Sequence, residues 1–102
     1  MRVVRSAAAT VDIREAAVYY RDEVGLETAL QFIDDIEDAV RQIATYPGSG
    51  ATRYAESLSL PGLRSLALRG FPYIIFYWER DDHIDVWRLL HGHRDIPQTL
   101  LT

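Results

Sequence analysis

At 102 residues with net charge −4, the chain is long enough for one compact domain over residues 1–102 and too short for two. Its 48% hydrophobic and 25% charged residues exclude a disordered chain, and the lack of cysteine excludes disulfide scaffolds and thiolate metal sites. No apolar run approaches the roughly 18 residues of a membrane span, and the N-terminus lacks a signal peptide's apolar stretch, so a cytoplasmic location without membrane contact is expected.

Arg2 to Arg5 reads as a short strand, and Ser6 as the cap of a helix from Ala7 to Val24. Ala9, Ile13, Ala16 and Tyr20 fall on one stripe of that helix. Gly25 separates it from a second helix, Leu26 to Tyr46. Its stripe is Ala29, Ile33, Ile36, Val40 and Ile43, widened by Leu30 and Phe32. Asp34, Glu37, Asp38 and Arg41 lie off that stripe as a solvated face, with Asp38 and Arg41 at ion-pair spacing. The short break predicts an antiparallel helix hairpin. Pro47-Gly48-Ser49-Gly50 stops the second helix and opens a loop that runs to Pro61-Gly62. Three strands follow, Leu63 to Arg69, Tyr73 to Glu79 and His83 to His91, and their short turns predict an antiparallel meander. The tail from Asp95 to Thr102 has the pattern of one weak helical turn. The fold class is α+β, in the order β-α-α-β-β-β, with a helix hairpin packed on a small antiparallel sheet.

The strands carry apolar residues on both faces. Tyr73, Ile75 and Tyr77 alternate with Ile74, Phe76 and Trp78 in the middle strand. In the last strand Ile84, Val86 and Leu90 fall on one side, and Trp87 and Leu89 on the other. A helix hairpin covers one side only. The second side either stays open to a partner or is covered by the long loop and the tail, and periodicity does not choose between these.

The charge divides unevenly along the chain. Residues 1–46 hold nine acids and five arginines; residues 47–102 hold six of each and all three histidines. Every basic residue is Arg. A net acidic chain is poorly suited to broad phosphate binding, because each contact needs a cation. No phosphate-cradling glycine loop or nucleophile elbow is present. His91-x-His93 is a weak metal pattern, and neither a metal nor a cofactor is expected. The informative cluster is Arg53, Arg64, Arg88, His91 and Arg94. Adjacent strands can bring several of these together to hold an RNA phosphate, with His91 as general acid or base. The competing reading pairs the arginines with the chain's own carboxylates or with an acidic partner, and the net charge favours it.

Several pieces then occur in a telling order. They are Ala9-x-x-Asp12-Ile13, Tyr19-Tyr20, Gly25-x-x-x-Ala29-x-x-Phe32 and Pro47-x-x-Gly50-x-x-Arg53. After these come Gly62-Leu63-Arg64, Tyr73-Ile74-Ile75-Phe76-Tyr77 and Leu90-His91-Gly92-His93-Arg94-Asp95. From Arg2 to Asp95 the chain resembles the toxin superfamily of type II toxin–antitoxin modules that contains RelE and ParE. The resemblance implies the same β-α-α-β-β-β fold. It also implies one of two activities: metal-independent cleavage of messenger RNA on the ribosome, as in RelE-like members, or inhibition of DNA gyrase, as in ParE-like members. Both kinds are neutralised by a cognate antitoxin, often in higher-order complexes.

Particular positions favour the ParE side. RelE-like nucleases commonly carry basic side chains at alternating positions of the first meander strand, where this chain has Ser65 and Ala67. They commonly place Arg after the tyrosine of the middle strand, where it has Ile74. Without those cations the charge developing at a cleaved phosphodiester lacks much of its stabilisation. The resemblance thus implies growth arrest through gyrase, with Arg64, Trp78, Trp87, Arg88, His91 and Arg94 as candidate contacts. Alternatives are a nuclease using His91 and Arg94 with Arg53 or Arg64 on phosphate, or a non-toxic relic that still binds antitoxin.

Overall fold

The computed structural model describes residues 1–101; Thr102, the last residue of the predicted tail, lies outside the described residues. The chain runs β1 (Arg2–Arg5), α1 (Ala7–Glu23), α2 (Leu26–Thr45), a 3-10 turn (Pro47–Ser49), α3 (Arg53–Leu58), β2 (Arg64–Ala67), β3 (Tyr73–Glu79), β4 (His83–His91) and α4 (Ile96–Leu101). The four strands form one sheet in the order β1-β4-β3-β2. The β2-β3-β4 meander is antiparallel as expected, but β1 lies parallel to β4, so the sheet is mixed rather than wholly antiparallel. The parallel edge follows from the connection: the two-helix hairpin precedes β2 at the far edge of the sheet, and the meander reverses direction twice, so β4 arrives beside β1 running the same way.

The helix hairpin forms where the pattern places it. Gly25 joins the helices with φ of 146°, a conformation that side chains rarely adopt. Ala9, Ile13 and Ala16 of α1 are buried, as are Ala29, Phe32, Ile36, Ala39 and Ile43 of α2. The α2 stripe is therefore rotated from the predicted one. Phe32 and Ala39 face the core, Ile33 and Val40 are half-buried against it, and Leu30 is 57% exposed. Asp38 and Arg41 form the expected ion pair on the solvent face. On the sheet side this core is completed by Ile75 and Tyr77 of β3 and by Ile84, Val86 and Leu89 of β4.

A β-bulge alters the faces of β4. Phe76 pairs with Arg88 but Tyr77 pairs with Val86, so Trp87 is an extra residue on β4. Beyond it the alternation is inverted: Leu89 points into the hairpin core and Leu90 into the opposite cluster, the reverse of the strict period-two expectation. Ser6 holds this bulge to the start of α1. Its hydroxyl accepts from Ala9 N–H at 3.0 Å as the helix cap and donates to the Trp87 carbonyl at 2.6 Å. Ser6→Ala removes both bonds and is expected to cost about 1–2 kcal/mol. The shift of the urea midpoint, at unchanged slope, measures it.

The second face of the sheet is covered. Leu63, Phe76, Leu90, Ile96 and Leu100 form a separate buried cluster, flanked by Tyr54, Ala55 and Leu58 of α3. The segment expected as a loop thus contains a short helix, and the tail forms α4 with Ile96 and Leu100 buried. Among the described residues the broad open apolar face allowed by the sequence is therefore absent, because these two short helices bury most of it. Gly92 follows β4 without a positive φ. No helix among the described residues is long and apolar enough to cross a membrane.

Candidate partner-binding surface

The Asp12 carboxylate organises the end of β4. It lies on the flank of α1 that faces the strand, and β1 has already ended at Arg5, which pairs with Val86. Beyond that point the β4 backbone has α1 rather than a strand beside it. Asp12 supplies the missing acceptor: Leu89 N–H donates to its Oδ2 at 3.0 Å. Arg88 clamps the same carboxylate with two bonds, Nε to Oδ2 at 2.7 Å and a terminal nitrogen to Oδ1 at 2.9 Å. Both side chains are largely shielded, at 21% and 10% exposure. The hydrogen bond to Asp12 raises the Arg88 pKa against the opposing effect of burial. Arg88 is thus committed within the chain.

His91 and Arg94 stand one step further on. With Asp12, Glu15, Tyr19 and Tyr73 they line a cavity of about 180 Å³ between α1 and the end of β4, floored by Ala16 and Leu89. His91 pairs with Tyr73 across the ladder and packs edge-on against its ring, 5.2 Å between centroids. Its Nδ1 accepts from the backbone N–H of His93 at 3.1 Å, which leaves Nε2 as the donor of the neutral ring. Arg94 is exposed, and no hydrogen bond or ion pair to a described residue engages its guanidinium. Burial pushes the Tyr73 hydroxyl above the usual tyrosine value and Tyr19 adds to that, while Arg94 pulls it back.

Trp78 and Trp87 lie elsewhere, beside the second cluster. Their rings are 4.8 Å apart and both are half-buried. Trp78 donates from Nε1 to the Pro61 carbonyl at 3.1 Å, and its ring lies against Gly62, whose φ is 81°. Arg80 stacks on Trp78 at 5.0 Å and pairs with Asp85. Arg64 is at the other edge. Its guanidinium donates to the carbonyls of Gly48 at 3.2 Å and Gly50 at 2.9 Å, tying the loop to β2. Arg53 stacks on its neighbour Tyr54 in α3.

The six predicted contacts therefore do not form one patch. His91 and Arg94 are together, and Trp78 and Trp87 are together. Arg88 is committed to Asp12, and Arg64 ties the loop through one of its two terminal nitrogens. Arg64 pairs with Tyr77 and His91 with Tyr73 on opposite flanks of β3; those two tyrosines are separated by about 13 Å at some 3.3 Å per residue. Among the described residues no group of three or more His, Cys, Asp or Glu side chains could hold a metal ion. A larger groove of about 530 Å³ runs between α2 and the β2 edge, lined by Asp35, Arg41, Tyr46, Leu66 and Arg69 among others.

Sequence reasoning missed Glu15, Tyr19 and Tyr73 as site residues and gave Asp12 no role. The signal for Asp12 was present: a carboxylate on the flank of an otherwise apolar helix stripe, with spare arginines downstream. The residue it would meet depends on the bulge, which no period reveals.

The comparisons with known proteins agree with this architecture. The family model described as the ParE toxin of the type II toxin–antitoxin system parDE matches residues 3–96. A solved structure described as the chromosomal ParDE TA system from P. aeruginosa superposes with a TM-score of 0.75 at 25% identity, covering 89% of this chain and 95% of that one. A search of curated proteins returns no match. With the family model spanning nearly the whole chain and the same arrangement of hairpin and sheet, the protein belongs to the ParE toxin family of type II toxin–antitoxin systems.

Proposed function

We propose that residues 1–102 form a single cytoplasmic toxin domain that arrests growth by binding DNA gyrase and is neutralised by a cognate antitoxin. The observation that carries the gyrase reading over RNA cleavage is the dispersal of the cations. Arg53 and Arg64, which a nuclease would need beside His91, are held in α3 and at the loop, and Arg88 is held by Asp12. A scissile phosphate near His91 would meet Arg94 alone, too little charge for the transition state of phosphodiester cleavage. Family membership and the likeness to a ParDE system support the antitoxin partner. Of the proposed contacts, Trp78, Trp87, His91 and Arg94 keep solvent-facing surface, and Arg64 and Arg88 act through the loop and the bulge that they hold.

The test is a purified-gyrase assay on supercoiled plasmid. Linear plasmid is expected to accumulate after detergent and protease treatment when the folded protein is present. No inhibition and no linear product would remove gyrase as the target. Ribosome-dependent messenger RNA cleavage that disappears in His91→Ala would replace this reading with the nuclease. Normal growth on expression without antitoxin would leave only the non-toxic relic.

A further inference from the structure

We propose that the cavity between α1 and the end of β4 is a subsite for one acidic side chain of the bound antitoxin. This rests on the antitoxin reading above and gives that partner a specific chemistry. At about 180 Å³ the cavity admits a carboxylate and its short stem, whereas ligand pockets for whole small molecules start near ~300 Å³. Its wall presents donors that have no acceptor of their own. Among the described residues no hydrogen bond engages the hydroxyls of Tyr19 and Tyr73, the guanidinium of Arg94 or the Nε2 of His91, whose Nδ1 accepts from the His93 N–H.

The acids that line the cavity do not cancel this bias equally. Asp12 is already matched, with both oxygens committed to Arg88 and the Leu89 N–H. Glu15 is the remaining acid in the wall, and it forms no ion pair among the described residues. Arg94 therefore faces one unmatched carboxylate, and an incoming acid competes with it at close quarters. A protein carboxylate fits better than a nucleic-acid phosphate. A polyanion needs a row of cations, but Arg53, Arg64 and Arg88 are held elsewhere and the chain carries a net charge of −4.

The probe is N-acetylglutamate N-methylamide, titrated into the folded protein while the side-chain NMR signals of His91 and Arg94 are followed. A saturable shift is expected, with binding about fivefold weaker in Arg94→Gln and in Tyr73→Phe, as befits loss of a charge-assisted or hydroxyl hydrogen bond. Glu15→Gln is expected to tighten binding about two- to threefold by removing the competing charge, a gain that misfolding does not mimic. Arg94 is exposed and Tyr73→Phe keeps the packed ring, so both variants retain the fold. Shifts that do not saturate, or that are the same in Arg94→Gln, overturn the proposal. So does inorganic phosphate saturating the same signals at about tenfold lower concentration, which would mark a phosphate site instead. With the antitoxin itself, equal affinity for the parent chain and Arg94→Gln defeats the subsite alone. A chain that binds no antitoxin defeats the subsite and the reading beneath it.

Discussion

Asp12→Ala is expected to lower stability by about 3 kcal/mol, the low end of the range for breaking a shielded ion pair. The substitution does three things at once. It leaves the Arg88 guanidinium without its carboxylate in a site where that side chain is 21% exposed. It removes the carboxylate acceptor of the Leu89 N–H, at a point where β1 has ended and α1 faces the strand. It also frees the bulge that directs Leu89 inward and Leu90 outward. For a domain of this size a loss of that order lowers Tm by roughly 12–20 °C. Asp12→Asn keeps an acceptor for Leu89 but not the charge, so its loss falls between the parent and Asp12→Ala. The double variant Asp12→Ala/Arg88→Met recovers part of the loss, because the stranded cation is gone. Thermal melts of these variants check the argument. A loss below about 1 kcal/mol in Asp12→Ala would mean that water solvates Arg88 well enough to make the pair ornamental.

That ion pair marks the boundary of what the sequence reveals. The hairpin was legible because two long amphipathic stripes flank a glycine, and burial of Ala9, Ile13, Ala16, Ile36 and Ile43 follows from spacing alone. The limits of β3 and β4 were legible because polar turns bracket apolar runs. The facing of Leu89 and Leu90 was not, since one inserted residue reverses a period-two pattern without leaving a mark in composition. The parallel pairing of β1 was also hidden: four residues carry no register information by themselves. The helix α3 was missed because Arg53–Leu58 is only six residues, too short for a periodic signal, and packs through Tyr54, Ala55 and Leu58 onto a face whose need for cover was ambiguous.

The site follows the same division. His91 and Arg94 were singled out, and they do share a cavity. Trp78 and Trp87 were singled out as anchors, and they stack together beside the second cluster. The six candidates separate in the fold because side-chain type says what a residue can bind but not what already binds it. Arg64 and Arg88 have the chemistry of partner contacts, but Arg88 is taken up by a carboxylate inside the chain and Arg64 gives one terminal nitrogen to two backbone carbonyls. Only coordinates distinguish a spent arginine from a free one.

Gly50→Ala is expected to cost about 2–3 kcal/mol through overpacking and a lost hydrogen bond, although the added group is a single methyl. A Cβ at this position would sit 2.6 Å from the Tyr77 hydroxyl oxygen, 3.0 Å from its ring and 3.0 Å from the Ser65 carbonyl oxygen. None of these yields easily. The Tyr77 ring is fully buried between β3 and the hairpin, and Ser65 is fixed by its ladder with Phe76 and by paired bonds to Ala51. The hydroxyl is pinned as well: it accepts from Gly50 N–H at 3.0 Å and donates to the Pro47 carbonyl at 2.6 Å. Accommodating the methyl must therefore push the 47–50 turn outward, which also strips Arg64 of its two carbonyl acceptors. Tyr77→Phe removes the oxygen and leaves the buried Gly50 N–H unmatched, for an expected loss of about 1–2 kcal/mol. In the double variant the closest clash disappears with that oxygen, so its cost falls below the sum of the single variants. Urea unfolding of all three, read at constant slope, gives the coupling. Strict additivity would show that the turn moves freely around Tyr77 and that the Pro47-x-x-Gly50 spacing is not set by this hydroxyl.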